Sequence, residues 1–183
     1  LFRGRRTYFH GQYFDEQFNQ LSFSFSPRVC LDLRLYARVE DIVDFANTRL
    51  GRSFRLGPEI QLQWGRHLEL DLEFTHQEFD VDGGRLFDAA LTDAEITYQF
   101  SNLSYLRFTA QYTDNRRNPD LYLRPVQQRN KELSTQLLYS YMVNAATRFF
   151  VGYSDAGFQN DRLDRIEQTS RTFFAKFSYA WQP

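Results

Sequence analysis

The sequence predicts an all-β protein: a transmembrane antiparallel up-and-down β-barrel with about ten strands visible in its 183 residues. Three observations carry this. Apolar and polar residues alternate with a period of two in segment after segment. Aromatic residues are abundant, with 19 Phe, 11 Tyr and 2 Trp. Yet mean hydropathy is −0.57 and 25% of residues are charged. Strands with one apolar and one wet face give that mixed total. Finally, the connections between segments alternate between short and long. No stretch approaches the ~18 consecutive apolar residues of a membrane-spanning helix, whereas barrel strands need only ~9–11 alternating residues.

The elements follow in order. Around residues 6–14, Tyr8, Phe9, Tyr13 and Phe14 form a weak segment without a clean phase. Residues 21–26 read Leu-Ser-Phe-Ser-Phe-Ser. Over 29–40, Val29, Leu31, Leu33, Leu35, Ala37 and Val39 oppose Asp32, Arg34, Tyr36, Arg38 and Glu40. Ile60, Leu62 and Trp64 oppose Glu59, Gln61 and Gln63. Leu68, Leu70, Leu72 and Phe74 oppose Glu69, Asp71, Glu73 and Thr75. Ala94, Ile96, Tyr98 and Phe100 oppose Glu95, Thr97 and Gln99. Leu106, Phe108, Ala110 and Tyr112 oppose Arg107, Thr109 and Gln111. The pattern returns over 133–141, over 149–153 and in the last strand. There Phe173, Ala175, Phe177, Tyr179 and Trp181 oppose Lys176 and Ser178. A helix would repeat its apolar residues at three and four positions instead.

Short connections are expected at 26–28, 65–67, 101–104 and 143–146, and long polar ones at 41–54, 79–87, 114–130 and 155–168. Short periplasmic turns and long extracellular loops are the outer-membrane pattern, and an even strand count is expected of bacterial single-chain barrels. The last strand would then end in the periplasm. Tyr98, Phe100, Tyr105, Tyr139, Tyr141, Tyr179 and Trp181 gather toward the short-turn end. There they would form a girdle at one membrane interface. Formal net charge is −1, which gives no strong field for nucleic acid. The single cysteine, Cys30, excludes an internal disulfide. The chain begins at Leu1 without a signal peptide, so the expectation is a mature or truncated C-terminal portion, with an upstream domain or strands missing.

The last strand, Arg171-Thr-Phe-Phe-Ala-Lys-Phe-Ser-Tyr-Ala-Trp181, resembles the terminal signal strand that the barrel-assembly machinery reads. The resemblance implies that role for Phe173, Phe177, Tyr179 and Trp181. Gln182 and Pro183 follow the final aromatic, and Lys176 stands where that signal commonly has glycine. Over residues 130–183, "STQLLYSYMVNAATRFFVGYSD" and "RTFFAKFSYAWQP" resemble the C-terminal outer-membrane barrel of an uncharacterised bacterial family. Its members usually carry a carbohydrate-binding-like domain ahead of the barrel. The resemblance implies a link to glycans and lends no catalytic residue.

Candidate chemistry is sparse. His10, His67 and His76 lack metal-ligand spacing. The one local partner pairing for a catalytic dyad is His76 with Asp80 or Asp82. Asp80-Val-Asp82-Gly83-Gly84 superficially resembles a calcium loop but lacks its remaining ligands, and Asp82-Gly83 reads first as a hairpin turn. Arg116, Arg117, Arg162 and Arg165 in the long loops, with Arg171, suit lipopolysaccharide phosphates. The same residues also read as solvated loop charges. The informative set faces inward: Asp32, Arg34, Arg38, Glu40, Glu59, Glu69, Asp71, Glu73, Glu95, Arg107 and Lys176. Unpaired burial of such charges is costly, so they line water or form a paired network across the lumen. Ten strands make a narrow barrel, plugged or closed unless upstream strands widen it.

The expected function is therefore a non-enzymatic, cofactor-free and metal-free outer-membrane anchor or conduit of a Gram-negative bacterium, with glycan binding or uptake as one role. Its partners would be the bilayer, lipopolysaccharide, the assembly machinery and other outer-membrane subunits, but no nucleic acid. Two alternatives stay open: an outer-membrane barrel enzyme of the protease or phospholipase type, and a soluble lipocalin-like barrel.

Overall fold

The computed structural model describes residues 2–144 and 146–179. Ten strands follow one another: β1 (Phe2–Phe9), β2 (Gln12–Arg28), β3 (Leu31–Asp44), β4 (Arg49–Trp64), β5 (Leu68–Val81), β6 (Gly84–Ser101), β7 (Ser104–Arg117), β8 (Arg129–Asn144), β9 (Thr147–Gln159) and β10 (Glu167–Tyr179). Each pairs antiparallel with its neighbours in sequence, giving one up-and-down sheet in the order β1 to β10. The expectation is met in strand number, direction and topology. Closure is not: β1 and β10 stand at opposite edges, and they do not pair among the described residues.

Register sorts the side chains, because directly opposed residues share a face and the next residue along lies on the other. One row runs Leu31, Leu62, Leu70, Ile96, Phe108, Leu137, Tyr153 and Phe173 across β3 to β10. The adjacent row runs Asp32, Gln61, Asp71, Glu95, Thr109, Gln136, Ser154 and Thr172. Every member of the first row is apolar or aromatic, and every member of the second is polar.

The polar face is concave, since residues from β4 to β9 line a single cleft of about 610 Å³. Glycines help the sheet bend toward it. At Gly57 the ring of Tyr36, its direct partner on β3, occupies the space a Cβ would need. The Phe174 ring does the same at Gly152, its partner on β9. The outer, apolar face is uncovered: Leu21 is 75% exposed, Trp64 73% and Phe173 73%. The accessible surface of 12879 Å² exceeds the roughly 9,300 Å² of a globular monomer of this mass.

Several segment and connection expectations are corrected. The segment around 6–14 is not one strand but a hairpin, turning at His10 and Gly11, both with positive φ. Tyr8 pairs with Tyr13 on one face, while Phe9 and Phe14 fall on the other, which explains the missing phase. The expected loops 41–54 and 79–87 are mostly strand. β3 and β4 are joined across residues 45–48, and β5 and β6 across 82–83, as Asp82-Gly83 predicts. Only residues 118–128 and 160–166 form longer connections. The first turn of the short set lies at 29–30, beyond the expected 26–28.

Candidate functional site

The concave face carries the whole predicted charged set: Asp32, Arg34, Arg38 and Glu40 from β3, Glu59 from β4, Glu69, Asp71 and Glu73 from β5, Glu95 from β6, Arg107 from β7 and Lys176 from β10. The ion pairs form along a strand or between neighbouring strands; the alternative of a paired network across the concave face is not what the described residues form. Arg34 meets Glu59 at 3.0 Å and Asp32 at 3.4 Å. Arg38 meets Glu40 at 3.1 Å and lies over the Phe18 ring. Arg107 meets Glu95 at 3.1 Å. Among the described residues, Glu69, Asp71 and Glu73 have no cation within 4.0 Å, and Lys176 has no acid.

Sequence reasoning missed Asp93. Its parity on β6 was there to be read, since Glu95 two residues on is in the set. Asp93 directly opposes Glu73, which directly opposes Glu59. In the adjacent row Asp71 directly opposes Glu95. Like charges placed opposite one another across a sheet destabilise it. These five carboxylates line the cleft together with Gln61, Gln111 and Gln136, and Gln111 donates to Asp93 at 2.7 Å. The floor of the cleft is therefore negatively charged, with Arg34 and Arg107 offsetting part of it.

A strap crosses the cleft's rim at the long-connection end. Residues 118–128 leave β7 and reach back to the β3–β4 turn. The short 3-10 turn Pro119–Leu121 is capped by Asn118, whose side chain accepts from the Asp120 amide. Arg49 donates to the Leu121 carbonyl at 2.6 Å and to Asp44 at 3.1 Å. The Leu123 amide donates to Asn47 at 2.9 Å. Burial pushes the Tyr122 phenol above its ordinary pKa. The second long connection holds the strap's far end: the Asp161 carboxylate accepts from the amides of Gln128 and Arg129 at 2.6 and 2.7 Å. Beneath the rim, Val43, Phe79 and Leu86 are buried.

The aromatic set divides. Tyr98, Phe100, Tyr139, Tyr141 and Tyr179 lie exposed on the apolar face at the short-turn end, with Tyr98 and Phe100 packed edge to face at 5.0 Å. Tyr105 is a correction. It opposes Ser140 and Gln99, so it faces the concave side, where Arg107 stacks on its ring at 5.4 Å. One-residue parity separates it from Leu106. Trp64, on the apolar face in this band, was missed. Phe173, Phe177 and Tyr179 share the apolar face of β10. Trp181 lies outside the described residues.

The pairing of His76 with Asp80 or Asp82 that a dyad would need does not form. His76 Nε2 approaches Glu78 at 3.2 Å and Asp88 at 3.6 Å, not Asp80 or Asp82. Asp80 instead pairs with Arg85 across the hairpin, so the calcium-like segment is a turn with an ion pair. His10 stacks on Phe9, and His67 lies 2.6 Å from the Gln99 carbonyl. Arg116 and Arg171 are largely exposed; Asp114 lies 3.8 Å from the first, and Asp155 3.5 Å from the second, which also donates to Gln168 at 2.9 Å.

Fold and site together define an all-β protein: one ten-stranded antiparallel meander, apolar outside, charged within, and strapped at one rim. No protein-family model and no curated protein sequence matches this chain.

Proposed function

We propose that this chain forms the wall of a bacterial outer-membrane β-barrel, acting as a membrane anchor or conduit rather than an enzyme. The observation that carries the reading is the pair of adjacent rows, eight apolar residues from Leu31 to Phe173 beside eight polar ones from Asp32 to Thr172. A soluble barrel turns its apolar rows inward; here they lie on the outer face. Apolar surface left in water costs roughly 25 cal/mol per Å², and lipid against the outer face removes that cost. From Leu31 to Val39 the apolar run spans ~26 Å along the strand, or ~20 Å when tilted by ~40°, near the ~25 Å band of outer-membrane barrels.

In this reading the aromatics of the short-turn end sit at the periplasmic interface, β10 presents the terminal assembly signal, and exposed arginines of the opposite rim meet lipopolysaccharide phosphates. The acidic floor gives any conduit a preference for cations, and a link to glycans rests on the family resemblance alone. The test is migration in SDS gels of protein from isolated outer membranes, with and without boiling. A compact band that moves faster unboiled supports the barrel. Recovery in the soluble fraction with no shift would overturn it in favour of a lipocalin-like protein.

A further inference from the structure

At the long-connection end of the outer face, three side chains of different chemistry converge. His76 and Glu78 lie two residues apart on β5, and Asp88 is the direct β6 partner of Glu78. The pleat thus puts all three on one side. One ligand atom from each lies within 4.8 Å of the others. His76 Nε2 stands 3.2 Å from Glu78 Oε1 and 3.6 Å from Asp88 Oδ2. Zinc bound tetrahedrally at ~2.0–2.2 Å holds its ligand atoms roughly 3.3–3.6 Å apart. The two distances from the imidazole lie close to the edge length of such a tetrahedron.

Two surrounding features fit the same reading. The β6 residue directly opposite His76 is Ala90, whose small side chain leaves room beside the imidazole on that side, while Leu56 flanks it on β4. The second Glu78 oxygen accepts from Arg85 Nη2 at 2.9 Å, while Arg85 is also held by Asp80. Ligating carboxylates are commonly fixed by such an outer partner. Counting Glu78, Asp80, Asp88 and Arg85, with a neutral imidazole, leaves two net negative charges for a divalent ion to balance.

We infer that His76, Glu78 and Asp88 form a binding site for a divalent transition cation of the zinc class, with one position left to water. One imidazole and two carboxylates suit zinc better than calcium or magnesium, which take oxygen ligands. The inference rests on the β5–β6 hairpin alone and does not require the outer face to meet lipid.

The experiment is titration of the purified, folded full chain with Co²⁺, followed by Zn²⁺ competition, with circular dichroism as the check on folding. A visible absorption of tetrahedral cobalt that saturates at a single ion per chain and is displaced by zinc is expected. His76→Ala should weaken binding by more than the ~10–100-fold that loss of an outer-shell partner costs, and Asp88→Asn should act in the same direction. Arg85→Gln should have the smaller, outer-shell effect. Where His76→Ala fails to fold, Asp88→Asn and the wild-type spectrum decide. Only octahedral, zinc-insensitive cobalt would overturn the site. So would a thiolate charge-transfer band, which would place the ion on Cys30, or equal binding by folded His76→Ala.

Discussion

Arg49 and Leu121 lie 72 residues apart in sequence, yet the guanidinium of the first donates to the carbonyl of the second at 2.6 Å. That bond fixes the strap to the β3–β4 turn. Its donor is held in turn by Asp44, which is buried. Replacing Arg49 with alanine removes both contacts and leaves the buried Asp44 carboxylate with the Asn47 amide as its remaining side-chain donor, so a loss of about 1–3 kcal/mol is expected. Chymotrypsin should then cut the strap after Tyr122 faster than in wild type. Equal cleavage rates would show that Arg49 does not hold it.

A second expectation concerns curvature. Gly57→Ala places a methyl group where the Tyr36 ring now sits, and overpacking of this kind costs about 1–3 kcal/mol. Tyr36→Ala in the same chain should recover most of that loss, because the two residues are direct partners and their effects are not additive. Urea unfolding of the two single variants and the double variant measures the coupling. Simple additivity would mean that the ring is not what excludes the side chain.

The two faces can be told apart at neighbouring positions. Leu70→Arg, in the apolar row, should destabilise the protein in a bilayer by about 2–4 kcal/mol if that row faces lipid near mid-depth. Asp71→Arg, one residue along on the concave face, should be tolerated, and by removing an unpaired acid should shift any conductance away from cations. Unfolding in lipid vesicles and reversal potentials across planar bilayers are the measurements. A penalty larger at 71 than at 70 would invert the assignment of faces.

Much of this was legible in the sequence, for a physical reason. Where a strand separates two unlike environments, its side chains must alternate, so the phases of β3, β5, β6 and β7 and the charged set on their concave side could be read directly. The rims were not legible. Asp41, Asp44, Arg49 and Arg52 read as a loop, yet they are strand: Asp41 opposes Arg52, and Asp44 opposes Arg49. Beyond the apolar band Ile42 and Val43 stand side by side between Asp41 and Asp44, so backbone pairing continues without the alternation that marks it. Tyr8, Phe9, Tyr13 and Phe14 failed for the converse reason, since a turn at His10 and Gly11 resets the phase midway. Ion-pair partners such as Arg34 with Glu59 depend on register across strands, which alternation within one strand does not fix. The His76–Glu78–Asp88 cluster depends on the same register.

The strictly sequential strand order has a consequence for how the molecule assembles. Every pairing in the sheet joins a strand to the next one along the chain, so each hairpin can zip onto its predecessor without waiting for a distant segment. Loop closure costs little at each step. The ties of Arg49 to Leu121 and of Asn47 to Leu123 are the exception, because their ends meet only once β4 to β7 stand side by side. The strap therefore docks as a latch on strands that are already paired, and the folding chain would pass through a stage in which that part of the concave face is formed but its rim is open.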